Sequence, residues 1–140
     1  MRCPAALALC LVALAVASAG AQQPTAQPAA AQPSPLTRTV LQTKPLASAP
    51  GHDGILVLAE LAVGAAAPRH MHPGEEFVYV LEGTGTFDMQ GQPMLAITAG
   101  DSFVIPANTP HVAKNTGNVP IKLLSTYILE SGKPLAIPVP

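Results

Sequence analysis

The sequence predicts an all-β fold, a sandwich or barrel of short strands, over residues 37–140. Two observations carry this expectation. Past residue 36, short apolar runs are separated by Gly, Pro and Asn at the spacing of strands and turns. No stretch in that region has the apolar period of a helix together with a Ser, Thr, Asp or Asn cap.

In chain order, strands are predicted at 38–43 and 54–61, with Pro50-Gly51 between them and Gly64 beyond. The run 76–81 lies between Pro73-Gly74 and Gly83, and 84–89 lies between Gly83 and Gly91. Strand 94–98 stops ahead of Gly100, and 102–105 stops at Pro106. Strand 111–115 is bounded by Pro110 and Gly117-Asn118, and 121–129 is the last long run. Phe77, Val78, Tyr79 and Val80 form an unbroken apolar stretch, the pattern of a strand covered on both faces, so all four are expected in the core. Phe87, Met89, Phe103 and Tyr127 are expected as core or pocket wall. The tail, 135–140, alternates apolar residues with proline, which cannot donate to a ladder. It is expected at a sheet edge or as a surface strap, with a subunit contact as one use.

Residues 1–21 have the layout of a secretory signal peptide. Arg2 is the basic start, 5–17 is an apolar run short for a bilayer span, and small residues place cleavage between residues 19 and 22. A lipoprotein reading through Cys10 is set aside because Leu9 stands where a small residue is expected. Residues 22–36 are rich in Pro, Gln and Ala without aliphatic periodicity, so a flexible, disordered linker is expected.

The two cysteines, Cys3 and Cys10, both fall in the leader, so no disulfide or thiolate ligand is expected in the folded domain. Any metal site there must use imidazole and oxygen. The net charge is −1 and no Lys/Arg cluster exists, which argues against nucleic acid or an anionic membrane as partner. No Ser-His-Asp order and no phosphate-binding Gly-rich loop is present.

Four histidines are present, and three of them, His70, His72 and His111, lie near Gly, Pro and carboxylates. On a strand, residues i and i+2 share a face, so His70 and His72 can aim at one point. Glu76 has the same parity and Glu75 the opposite one, although the Pro73-Gly74 turn interrupts the count. His111 would have to arrive from another strand. Three imidazoles and a carboxylate suit a divalent first-row ion. His52, in a turn-rich stretch, is expected at the surface. Glu60 and Asp101 are expected to be solvated or capping.

The pattern then becomes specific. Residues 64–83 read G-x5-H-x-H-x3-E-x6-G, and residues 100–115 read G-x5-P-x-N-x2-H-x3-N. These resemble the two cupin motifs of small single-domain bacterial cupins, with Gly64, His70, His72, Glu76 and Gly83 in the first. Gly100, Pro106, His111 and Asn115 match the second. Asn108 stands where that motif usually has Gly, a mild departure because Asn tolerates the left-handed conformation. Asn115 could approach the site or hold a turn.

The resemblance implies a double-stranded β-helix, a jelly-roll-like barrel with a metal at its mouth. It also implies His70, His72, Glu76 and His111 as ligands, which leaves Glu75 on the rim. One divalent transition metal is expected, Mn, Fe, Ni, Zn or Cu. Export to the periplasm or beyond would favour copper and zinc in the affinity order of these ions. The implied function is a metal-dependent enzyme on a small organic substrate, a dioxygenase or isomerase. The alternative is a sensor or binding protein without turnover. A homodimer is expected from family habit.

Overall fold

The computed structural model describes residues 35–140. The expected leader and all but the last two residues of the expected linker lie outside the described residues. Ten strands follow one another: β1 (Leu36–Pro45), β2 (His52–Leu61), β3 (His70–Met71), β4 (Glu75–Glu82), β5 (Thr84–Met89), β6 (Leu95–Thr98), β7 (Ser102–Ile105), β8 (His111–Asn115), β9 (Ile121–Glu130) and β10 (Ile137–Pro138). All eight predicted strands are present. The additional pair, β3 and β10, are two residues each.

The strands form two antiparallel five-stranded sheets, ordered β1-β2-β9-β4-β7 and β10-β3-β8-β5-β6. Period-2 alternation shows why these segments are strands. In β9, Ile121, Leu123, Ser125, Tyr127 and Leu129 are buried and the residues between them are half-buried. The core joins both sheets: Val78, Val80, Ile105 and Leu123 from the first meet Phe87, Met89, Ile97 and Ala113 from the second. Burying a branched side chain such as Val80, with 0% exposure, contributes about 1.5–3 kcal/mol.

One expectation is corrected. Val78 and Val80 are buried, but Phe77 and Tyr79 are each 47% exposed. Strand β4 lies inside its sheet with only one face against the other sheet, so its unbroken apolar run is covered on one side. The outward residues cluster laterally instead. Phe77 pairs with Thr126 and Val104, and Tyr79 with Leu124 and Ser102.

Two backbone features set the site. Gly74 lies between His72 and Glu76, and a Cβ there would fall on the Ile128 carbonyl of β9. Only glycine lets this turn press against β9. Asn108 has φ 56°, the left-handed conformation expected for the residue in the usual glycine position. Its N–H donates to the His72 carbonyl at 2.7 Å, tying the turn before β8 to the end of β3.

Candidate metal centre

His70 pairs directly with His111 in the β3–β8 ladder, and His72 follows one residue beyond β3. These three side chains are buried, at 7%, 1% and 1% exposure. One ring nitrogen from each lies within 4.8 Å of the other two. The ring centroids stand 4.4 Å apart for His70–His111, 4.9 Å for His70–His72 and 5.1 Å for His72–His111. The sequence placed these three together, and the fold brings them together.

Each ring is oriented by a backbone carbonyl. Nδ1 of His70 lies 2.7 Å from the Pro68 oxygen, and Nδ1 of His111 lies 2.9 Å from the Thr109 oxygen. Nδ1 of His72 reaches the Leu135 oxygen, 63 residues away, at 2.5 Å. A carbonyl only accepts, so each Nδ1 carries the proton and donates it. That leaves Nε2 as the ligand atom of each ring, and this is the arrangement that fixes ligating imidazoles.

His72 Nε2 makes the point most directly. It approaches Glu76 Oε2 at 2.9 Å, an ion-pair distance, yet it is a buried nitrogen without a hydrogen-bond partner. With Nδ1 committed to the Leu135 carbonyl, a neutral His72 would set two lone pairs against each other there, and a cation between them, a ring proton or a metal ion, resolves the conflict and holds the carboxylate ionised. The donor set, three imidazoles and an adjoining carboxylate, fits a divalent transition ion.

Electrostatics point the same way. Burial lowers the His70 pKa to about 4, helped by His111, His72 and Arg38 against the Pro68 hydrogen bond. Burial also lowers His111, against the opposing pull of Thr109 and Glu76. Burial alone would raise the Glu76 carboxyl, but contacts with His72, Ser125 and Tyr127 outweigh it and hold the pKa below the ordinary value. Burial and the neighbouring carboxylate push the Tyr127 hydroxyl far above the usual phenol range, so it stays a donor. It donates to Glu76 Oε1 at 2.8 Å.

Parity separates the two glutamates. Glu76 is 4% exposed and faces inward, whereas Glu75 is exposed on the outer face. Glu76 touches one of the three imidazoles, that of His72. Asn115 holds a turn. Its Nδ2 donates to the Leu61 and Val119 carbonyls, and its Oδ1 accepts from Gly117 N–H. His52 is exposed, and Asp101 caps the turn at Thr98. Phe87 and Tyr127 are buried and line the cavity beside the histidines. Met89 is buried core, and Phe103 packs partly buried against it.

Two contributions escaped the sequence reading. Tyr127 was expected only as core or wall, and its hydroxyl is the donor that fixes Glu76. Arg38, on β1, places a guanidinium nitrogen 3.1 Å from His70 Nε2 at the mouth of the cavity. The only sequence signal for Arg38 was its parity within a strand whose pairing was unknown. Among the described residues, no helix is long and apolar enough to cross a membrane.

Comparison with known proteins agrees with this fold. The family model for the cupin domain matches residues 57–127. An uncharacterised protein of Methanocaldococcus jannaschii is 39% identical over 70 residues, 49% of this chain and 55% of that one. The dimethylsulfoniopropionate lyase DddQ of Ruegeria pomeroyi is 33% identical over 54 residues, 39% of this chain and 27% of the lyase. Its crystal structure superimposes with a TM-score of 0.56 at 23% identity, covering 61% of this chain and 43% of that one. A conserved protein with a double-stranded β-helix domain from Klebsiella pneumoniae gives a TM-score of 0.61 at 17% identity. That match covers 78% of this chain and 89% of the other. The chain thus spans about half, or less, of the length of these curated relatives.

Proposed function

The chain belongs to the cupin domain family, and from that premise we propose that it is a metal-dependent enzyme acting on a small organic molecule. His70, His72, Glu76 and His111 hold one divalent transition ion, Mn, Fe, Ni, Zn or Cu, and the two sheets form the family's double-stranded β-helix. The observation that carries this reading is the set of three Nδ1–H groups tied to carbonyls, which leaves Nε2 as the ligand atom of three rings gathered in a buried spot.

A bound ion with an open position supplies Lewis acidity, or electron transfer if it is redox-active. The chain's own residues prepare that place. Backbone carbonyls aim the imidazoles, burial keeps those of His70 and His111 neutral, Tyr127 fixes one oxygen of Glu76, and Leu61, Phe87 and Leu123 keep the wall apolar. Oxygenase- and isomerase-type reactions are the classes to assay first. The naming of the Ruegeria relative as a lyase supports an enzyme and adds elimination to that panel.

One observation favours a second reading, a sensor or carrier that binds without turnover: the cavity wall is largely apolar. Oxygen uptake and product analysis over flavonoids, thiols, enols and sugar derivatives separate the two. Turnover that disappears on chelation supports the enzyme. A ligand-induced melting shift without product supports the carrier.

Export to the periplasm or beyond belongs to the same proposal and is supported by the composition of residues 1–21. So does a homodimer, supported by the exposed Phe77, Tyr79 and Val104, and sedimentation velocity tests it.

A further inference from the structure

Arg38 is placed for a purpose the metal reading does not use. Strand β1 is the edge strand of its sheet and is exposed along nearly all its length. Arg38 pairs with Ala59, whose side chain is in the core, so it stands in the row that faces inward. Its guanidinium joins His70, Glu76, His111 and Tyr127 around one cavity, and it also borders the groove that opens past Pro68 and Pro138. Among the described residues, no carboxylate forms an ion pair with it. Its hydrogen-bond partner is His70 Nε2.

That bond cannot coexist with a metal. His70 spends its one ring proton on the Pro68 carbonyl, so Nε2 offers a single lone pair. A guanidinium can only donate, and it does not lose its charge in a protein. When an ion takes the lone pair, Arg38 loses its partner at the mouth of a largely apolar cavity. The local charge then stands at about +2, from a divalent ion, one guanidinium and one carboxylate. Such a site calls for an anion, and the planar fork of an arginine matches a carboxylate. A phosphate dianion would call for more donors than this wall provides.

We propose that Arg38 binds the carboxylate of a small organic acid, and that this residue switches from His70 to the ligand when the site is metallated. The inference rests on the metal reading and names its substrate class: small carboxylates. Arg38 and the ion thereby act in opposition in the empty site and together in the filled one.

Cobalt(II) uptake, followed by acetate titration of the cobalt absorption bands, tests this in wild type, Arg38→Met and Lys44→Met. Lys44 lies on the same strand, outside the cavity, and controls for loss of a positive charge. Wild type and Lys44→Met are expected to share one acetate midpoint, while Arg38→Met needs about tenfold more acetate or greater. Arg38→Met is expected to bind cobalt at least as tightly as wild type, because the competitor for His70 Nε2 is gone. An unchanged acetate midpoint in Arg38→Met, or weaker cobalt binding by it, overturns the role of Arg38 and leaves the metal site standing. Failure of wild type to take up cobalt overturns both.

Discussion

His70 and His111 are cross-strand partners in the β3–β8 ladder, and their ring centroids lie 4.4 Å apart. One ladder position therefore joins the two sequence motifs and makes a site from segments some forty residues apart. Replacing His111 should destroy the site without destroying the fold, because the core around it is apolar and contributed by both sheets. His111→Ala should lose its metal, measured as ions per chain, and keep its β-sheet circular dichroism. The cavity and the freed Thr109 carbonyl should cost about 1–3 kcal/mol. Full metal content in this variant would contradict the assignment.

The Tyr127 hydroxyl is the donor to Glu76 Oε1 within a nearly closed interior. Tyr127→Phe keeps the ring and removes that bond, leaving a buried carboxylate oxygen unpaired. Urea unfolding of the metal-free protein should show a loss of about 1–3 kcal/mol. The Glu76 carboxyl should also titrate at higher pH, readable by carbon NMR of the side chain. No change in either would remove Tyr127 from the account.

Acid sensitivity follows from His70. Its pKa is lowered from 6.5 to about 4 in the fold, so on acidification the unfolded chain takes up the proton first. Stability is therefore full above pH 6.5 and is lost progressively as the pH falls toward 4. Urea midpoints of chelator-treated protein should fall between about pH 7 and pH 5. His70→Gln should make that slope shallower, and the part that remains is assigned to His111, whose pKa burial also lowers. Glu76 adds a further loss only below its ordinary value of 4.5, outside that window.

Gly74 gives a purely steric prediction. Gly74→Ala puts a methyl onto the Ile128 carbonyl and forces the His72–Glu76 turn away from β9. A destabilisation of about 2 kcal/mol or more is expected, together with weaker metal uptake because both flanking side chains move. Near-wild-type stability would mean that the turn relaxes freely.

Much of this was legible in the sequence, for physical reasons that differ residue by residue. The eight long strands declared themselves through apolar runs cut by Gly and Pro, and parity put Glu76 inside and Glu75 outside. Strands β3 and β10 were too short to carry a period. Phe77 and Tyr79 misled because an unbroken apolar run reads alike whether a strand is covered on one face or two. Local spacing anticipated neither the Leu135 carbonyl that holds His72 nor the Arg38 guanidinium on His70. Both contacts depend on how the first and last strands close against the middle of the chain.

Three carbonyl-fixed imidazoles and Glu76 are proposed to hold one transition ion. Elemental analysis of the protein purified from its native compartment, beside the His70→Ala and His72→Ala variants, is the decisive test. Close to one transition ion per wild-type chain is expected, and almost none in either variant. Wild-type protein without stoichiometric metal, or variants that keep it, would mean that these four side chains are not the ligands of a resident ion.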